Sequence, residues 1–151
     1  TYVLGIDINE KAVRTAKDNL AKNGIFNFYL IVGDWGQSLN KKFDMIVSNP
    51  PYIITKNIQD LPKEVKFHDP LLSLDGGSDG LKSYRSIACQ SSNLLADEGF
   101  LLLEIGYSQC KNVEEIFLNQ GFKLINKVKD YNGLDRVLVF KKKKIKKIVE
   151  I

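Results

Sequence analysis

Phe43-Asp44-Met45-Ile46-Val47-Ser48-Asn49-Pro50-Pro51-Tyr52 is the stretch whose reading decides the fold of this chain. Its first half is a near-continuous apolar run, as shown by strands of parallel sheets, which are buried on both faces. Its second half ends that strand abruptly. Proline holds φ fixed and cannot donate to a ladder, so Asn49-Pro50-Pro51 predicts a rigid turn at the strand's carboxyl end, where open α/β sheets bind their ligands.

Toward the N-terminus, Tyr2-Val3-Leu4-Gly5-Ile6 is a second apolar run, read as a buried strand that ends in Asp7, and Phe28 to Val32 is a third that leads into Gly33-Asp34-Trp35. Between them Ala12, Val13, Ala16 and Leu20 recur at helical spacing, with Asn9 placed to cap the helix and Asn23-Gly24 to stop it. Toward the C-terminus, Ser48 to Gly80 holds all four prolines and the Gly76-Gly77 pair, which predicts a long irregular segment with one short helix. Beyond it the pattern predicts a helix over 81–95, a strand over 100–105, a helix over 113–119, and a closing strand pair over 122–128 and 136–140. The order β-α-β-β-loop-α-β-α-β-β predicts an α/β sheet of parallel strands with a C-terminal antiparallel hairpin.

The 151 residues and 44% hydrophobic content suit one globular domain with a real core, and exclude a disordered chain. No run of about 18 apolar residues occurs and no signal-peptide layout opens the chain, so a protein of the cytoplasm, with no membrane partner, is expected. The net charge of +4 comes from the end: residues 141–151 hold six lysines and one glutamate, which leaves 16 basic and 17 acidic side chains in residues 1–140. This predicts a domain over 1–140 followed by a lysine-rich tail or linker over 141–151. It gives the domain no electrostatic reason to bind nucleic acid. Cys89 and Cys110 have no metal-like spacing and are expected to be buried free thiols. The lone His68 has no nucleophile or ligand partner at a recognisable spacing and is expected in a loop; no metal site is predicted.

The chemistry concentrates at three strand ends. The two prolines leave the carbonyls around Pro50 rigid and short of local donors, and Asn49 adds a side-chain carbonyl beside them. A ligand NH2 group has two donors that such acceptors can hold, and Tyr52 can cover the face of a planar group. An amide nitrogen is a poor nucleophile because its lone pair is delocalised. Holding both of its N–H bonds, with the nitrogen aimed at a methyl sulfonium, supplies orientation and charge stabilisation without a side-chain base. Asp7 is placed to accept from the two hydroxyls of a ribose, Asp34 from an adenine amino group, and Trp35 to pack on the adenine face. Each of these also has a plainer reading, as helix cap, turn residue or turn former.

These residues carry a family resemblance. From about Tyr2 to Phe140 the chain resembles the catalytic domain of the release-factor glutamine N5-methyltransferases. The match runs through Gly5-Ile6-Asp7-Ile8, Gly33-Asp34-Trp35, residues 47–53 with Asn49-Pro50-Pro51-Tyr52, and Asp69-Pro70. It continues through Leu74-Asp75-Gly76-Gly77-Ser78-Asp79-Gly80-Leu81, Glu104-Ile105-Gly106 with Gln109, and Asp130 with Gly133-Leu134-Asp135-Arg136-Val137. The Asn-Pro-Pro-Tyr tetrad is shared with DNA adenine and other amino-methyltransferases; the glycine block and the Asp-Arg-Val ending favour the glutamine enzymes. Where the family has Phe-Glu-Pro, this chain has His68-Asp69-Pro70, with a carboxylate one methylene shorter.

The resemblance implies a Rossmann-like class I S-adenosylmethionine-dependent methyltransferase fold. It implies methyl transfer to the glutamine of the Gly-Gly-Gln tip of peptide chain release factors. By carry-over, Asn49 and the Pro50 carbonyl hold the glutamine amide, Pro51 belongs to the same grip and Tyr52 packs against it. Asp7 meets the cofactor ribose, Asp34 and Trp35 the adenine, and Asn49 borders the cofactor as well. In the family a helical domain, then a strand and a glycine-rich turn with its helix, precede the strand that opens this chain. The expectation is therefore a fragment, inactive alone, whose sheet lacks a central strand between Tyr2 to Asp7 and Phe43 to Val47. Some members are fused at the C-terminus to a tRNA methyltransferase, and the lysine-rich end suits such a linker. Two other readings stand beside this one: a methyltransferase for an exocyclic amino group of a nucleobase in DNA or RNA, and a non-catalytic remnant.

Overall fold

The computed structural model describes residues 1–143, the Phe67 side chain excepted. They form two compact units, Thr1–Asn40 and a second that begins at Lys41, where composition predicted a single domain.

In the first unit, β1 (Val3–Asp7) pairs in parallel with β2 (Phe28–Val32), Val3 opposite Phe28 and Asp7 opposite Val32. The helix α1 (Glu10–Lys22) joins them. Asn9 caps it as its sequence predicts: the Asn9 Oδ1 accepts from Lys11 N at 2.9 Å and from Ala12 N at 3.4 Å. Its other end closes on Gly24, φ +66°, with Gly24 N donating to Ala21 O at 3.1 Å and Ile25 N to Leu20 O at 3.0 Å. That bond pair uses up two of the carbonyls a helix end leaves orphaned, and only glycine takes the left-handed turn without strain. The strands read as buried are half-buried or exposed instead, since two strands and one helix are too few to enclose one another. Among the described residues of this unit none is fully buried. Val13, Ala16 and Leu20 of α1 face Ile6, Phe28 and Leu30 across an apolar cavity of about 450 Å³.

The second unit is built on a four-stranded sheet in the order β3-β4-β6-β5. Its strands are β3 (Phe43–Ser48), β4 (Leu95–Glu104), β5 (Phe122–Lys129) and β6 (Asp135–Lys142). β3 and β4 run parallel; β6 is antiparallel to both β4 and β5, which gives the predicted closing hairpin. β3 is an edge strand, so Met45 and Val47 stay 55% and 68% exposed rather than buried. β4 begins five residues earlier than predicted. Phe43 pairs with Leu95 and Met45 with Phe100, so residues 96–99 bulge out, with Glu98 at φ +65°.

The segment read as irregular carries more helix than expected: a 3₁₀ turn (Thr55–Asp60), α2 (Lys63–His68) and α3 (Leu71–Leu74). Pro62 and Pro70 stand immediately before α2 and α3, where a missing N–H costs nothing and a fixed φ favours the first turn. His68 is thus the exposed last residue of a helix, not a loop residue. The helices α4 (Lys82–Leu94) and α5 (Cys110–Asn119) supply the core. Tyr84, Ile87 and Ala88 from α4 and Val113 and Phe117 from α5 are buried with Leu101, Leu103, Phe122, Leu138 and Phe140 of the sheet. The Phe117 and Phe140 rings stack at 4.8 Å, and Phe122 meets Phe117 edge-on at 5.6 Å. Each such side chain contributes about 1.5–3 kcal/mol by leaving water.

Cys110 is buried as expected, but Cys89 is exposed, on the solvent side of α4. The start of the expected tail is also revised. Lys141 and Lys142 extend β6: Lys141 pairs with Glu98 at 2.6 Å and lies over the Phe100 ring, and Lys142 donates to Leu95 O at 3.4 Å. Their aliphatic stems suit a strand while the ammonium groups reach partners. The rest of the expected linker, from Lys144 on, lies outside the described residues.

Candidate active site

Asn49-Pro50-Pro51-Tyr52 leaves the carboxyl end of β3 beside the carboxyl end of β4. Pro50 is fully buried and anchors the turn, while the Asn49 side chain is exposed. Among the described residues no hydrogen bond ends on the Asn49 carboxamide or on the Pro50 and Pro51 carbonyls. This edge therefore presents acceptors that no described donor occupies.

Tyr52 closes the turn, with Gly76 and Gly80 close against its backbone and Gly106 close against its ring. A Cβ at Gly76 would stand 2.8 Å from the Tyr52 Cα and carbonyl carbon; at Gly80 it would stand 2.6 Å from the Tyr52 oxygen. At Gly106 it would meet the Gln109 Oε1 at 2.7 Å and the Tyr52 ring at 3.3 Å. Gly77 and Gly80 have φ of +88° and +74°, the turn conformation expected of them. Gly76 does not; close backbone approach, not turn geometry, requires glycine there. The chain after Tyr52 then runs against the glycine block. Ile53 N donates to Leu74 O at 3.0 Å, Gly76 N to Ile53 O at 2.8 Å and Thr55 N to Gly77 O at 3.0 Å.

The carboxylates of this block are structural. Asp75 Oδ1 accepts from the Thr55 hydroxyl at 2.7 Å and from Gly77 N at 2.9 Å, and these bonds, the hydroxyl first, hold its pKa below the usual carboxylate value. Asp79 accepts from Arg85 and from Leu81 N, and Arg85 above all lowers its pKa. On the far side, Arg136 donates to the Ile105 carbonyl at 3.2 Å and to Asp130 at 3.1 Å, while Asp130 accepts from Asn132 N and Leu134 N. The Asp-Arg-Val segment therefore braces the turn at the end of β4. Asp69, which replaces a longer carboxylate, is exposed and has no described side-chain partner.

The first unit carries the other predicted residues on adjacent strand ends: Asp7 pairs with Val32, and Gly33 N donates to the Asp7 carbonyl at 3.0 Å. Asp7 Oδ1 accepts from Asn9 N at 2.8 Å, and Asp34 Oδ2 accepts from the Gln37 side chain at 2.9 Å. Each exposed carboxylate thus keeps a second oxygen for a hydroxyl or amino donor. Trp35 is half-buried at φ +53°, a left-handed conformation that a bulky residue takes only where its surroundings impose it. Asp7 and Asp34 thus each have one oxygen with no described donor, and Trp35 follows Asp34 directly in the chain. Among the described residues no group of three or more His, Cys, Asp or Glu could hold a metal, and no helix is long and apolar enough to cross a membrane.

Sequence reasoning named Asn49, Pro50, Pro51, Tyr52, Asp7, Asp34 and Trp35 but gave Gln109 no role. Gln109 nevertheless binds the site together, with Nε2 donating to Tyr52 O at 3.0 Å and Gly80 O at 3.1 Å and Oε1 accepting from Gly106 N at 3.1 Å. A single glutamine three residues after a glycine gives no local signal of such contacts.

The chain as a whole is similar to known proteins. A family model described as methyltransferase domain matches residues 1–150. A release factor glutamine methyltransferase of Agrobacterium fabrum is 45% identical over 140 residues, covering 92% of this chain and 48% of that protein. A bifunctional methyltransferase of Rickettsia felis is 37% identical over 91% of this chain and 27% of its own length. The crystal structure of the ribosomal protein L11 methylase of Lactobacillus delbrueckii subsp. bulgaricus superposes with a TM-score of 0.68 at 21% identity, over 95% of this chain and 59% of that one. The fold is thus the Rossmann-like α/β fold of methyltransferases, as predicted. The chain spans about half the length of the release factor methyltransferase it matches.

Proposed function

Since this chain belongs to the methyltransferase-domain family, we propose that it acts in methyl transfer from S-adenosylmethionine to the side-chain amide nitrogen (N5) of the glutamine in the Gly-Gly-Gln motif of peptide chain release factors. The observation that carries this reading is the open acceptor edge, the Asn49 carboxamide and the Pro50 carbonyl, neither of which has a described donor. The 45% identity with a release factor glutamine methyltransferase supports the substrate. Such a substrate puts the reaction in the cytoplasm.

The cofactor supplies an electrophilic methyl group on a sulfonium. In the first unit, Asp7 takes the ribose hydroxyls, Asp34 the adenine amino group and Trp35 the adenine face. In the second, Asn49 Oδ1 and the Pro50 carbonyl each accept one N–H of the glutamine amide, and the Tyr52 ring packs on the amide plane. Drawing on both N–H bonds pushes electron density onto the nitrogen and offsets the positive charge that grows there as its lone pair forms the N–C bond, while the electron pair of the breaking C–S bond returns to the sulfur and leaves a neutral thioether. One N–H proton then leaves to solvent. Because the prolines fix the carbonyls beforehand, little orientational freedom is lost on binding.

An exocyclic amino group of a nucleobase has the same NH2 geometry. The 16 basic and 17 acidic side chains of residues 1–140 argue against it, since nucleic-acid affinity rests on phosphate-facing cations. Incubation of the full-length gene product with methyl-labelled cofactor and either release factor or DNA and RNA tests the proposal. Label is expected on the Gly-Gly-Gln peptide, located by fragmentation mass spectrometry; label on nucleic acid alone overturns it. The bifunctional relative supports the lysine-rich end as a junction to a second catalytic domain. The reading frame past Ile151 tests that.

A further inference from the structure

We infer that Gln109 is the positioning residue of this site, setting where the acceptor edge of Asn49-Pro50-Pro51-Tyr52 stands. The inference rests on the reading of Asn49 and Pro50 as the grip on an NH2 group. Pro50 and Pro51 cannot donate, so the turn has lost two of the bonds by which a loop is normally tied down. Backbone bonding resumes only at Ile53 N. Outside the β3–β4 ladder, the one described hydrogen bond that reaches residues 49–52 is the one from Gln109 Nε2 to the Tyr52 carbonyl.

The other bonds of that carboxamide fix Gln109 itself. Its second N–H goes to Gly80 O and its oxygen takes the Gly106 N–H, so one side chain ties the substrate turn to the glycine block and to the turn after β4. Its own backbone is held as well, Gln109 N donating to Gly106 O at 2.9 Å and Gln109 O accepting from Val113 N at 3.0 Å at the start of α5. The demand is for two donors and one acceptor at this length. Glutamate has no donor when ionised, and asparagine is one methylene short. The glycines at 80 and 106 leave the room the carboxamide fills.

Gln109→Glu tests the donors with the shape kept. Its carboxylate would face the Tyr52 and Gly80 carbonyls, and kcat of the full-length protein carrying this substitution is expected to fall about 10- to 100-fold, as small misplacements of a reacting group do. Cofactor affinity, which belongs to Asp7, Asp34 and Trp35, is expected to stay unchanged. Facing two carbonyl oxygens raises the new carboxyl's pKa, so lowering pH from about 8 to about 6 restores one donor and part of kcat; Gln109→Ala, with nothing to protonate, does not recover. Gly106→Ala tests the same clamp from outside, because its Cβ would displace the flexible end of Gln109. The double variant Gly106→Ala with Gln109→Ala is expected to lose less than the sum of the two single losses, the remainder coming from the Cβ contact with the Tyr52 ring at 3.3 Å.

Full kcat in Gln109→Glu, a loss without pH recovery, joint loss of cofactor affinity or additivity in the double variant each overturn the inference. In the unsubstituted protein, the Gln109 side-chain NH2 protons are expected to exchange with water more slowly than those of the exposed Gln37; equal exchange overturns the clamp whatever the activity. If label goes to a nucleobase instead, the function proposed above fails while the same variants still test Gln109 on that acceptor.

Discussion

The hydroxyl of Tyr84 donates to the carbonyl of Glu104 across 3.0 Å, from the fully buried face of α4 to the carboxyl end of β4. Burial pushes the phenol pKa well up, with Tyr52 nearby adding to it, so the neutral hydroxyl is the stabilised form. Its contribution is present below the unfolded value of about 10 and is lost only as pH rises through the higher folded value. Tyr84→Phe leaves the Glu104 carbonyl without this donor and is expected to lower stability by about 1–2 kcal/mol, equally at neutral and mildly acidic pH. Urea unfolding midpoints at both pH values check this.

Asn49→Ala removes an acceptor without touching the buried Pro50. Transfer to a release factor is expected to drop about 10²-fold or more, the cost of deleting one preorganised charge-stabilising group. Cofactor affinity, read by calorimetry, should stay nearly unchanged, since Asp7, Asp34 and Trp35 are proposed to carry most of it. Activity equal to that of the parent protein would remove Asn49 from the grip.

Gly76→Ala and Gly24→Ala separate crowding from backbone strain. At Gly24 a Cβ meets nothing within 4 Å, so only its left-handed φ of +66° costs, about 1 kcal/mol. At Gly76 the φ is ordinary, but the Cβ would press on Tyr52 and Gly80 backbone atoms at 2.8–2.9 Å that cannot swing aside. A cost of about 1–3 kcal/mol is expected there. Methyl transfer should fall only in the Gly76 variant, which thermal melts and rate measurements on both proteins will show.

Acid should loosen the loops around the site before the core. Asp75 is held below the usual carboxylate range chiefly by the Thr55 hydroxyl, Asp79 chiefly by Arg85, and Asp130 chiefly by the Leu134 N–H. A carboxylate whose folded pKa is depressed stabilises fully above its unfolded value of about 3.9 and loses that contribution as pH falls through the lower folded value. Urea midpoints are expected to stay level from about pH 7 to about pH 5 and to fall below about pH 4. Asp75→Asn should flatten part of that fall; an unchanged profile would show that the loop bonds contribute nothing to it.

What was legible in the sequence was local. Asn9, Asn23-Gly24 and the apolar run ahead of Asn49 act through neighbours in the chain, so their caps, stops and strand ends could be read directly. The early start of β4 could not, because the pattern carries the helix to 95 and opens the strand only at 100, and pairing of Leu95 with the distant Phe43 overrides it. Pro62 and Pro70 read as breakers where they open helices. Met45 and Val47 read as buried because an apolar run does not reveal whether its strand lies at a sheet edge. The role of Gln109 could not be read locally either, because the two carbonyls its Nε2 donates to are 57 and 29 residues away.

The acceptor edge also shapes the step after transfer. A glutamine amide enters with two N–H bonds for Asn49 and Pro50, but the methylated product has one. On the proposed reading, one acceptor of the pair is then left unpaired in a turn that the prolines keep from rearranging. Losing one hydrogen bond of that kind costs about 0.5–1.5 kcal/mol, which weakens the hold on product relative to substrate by roughly 2- to 13-fold. The same rigidity that orients the substrate would therefore speed product departure and stop the reaction at a single methyl.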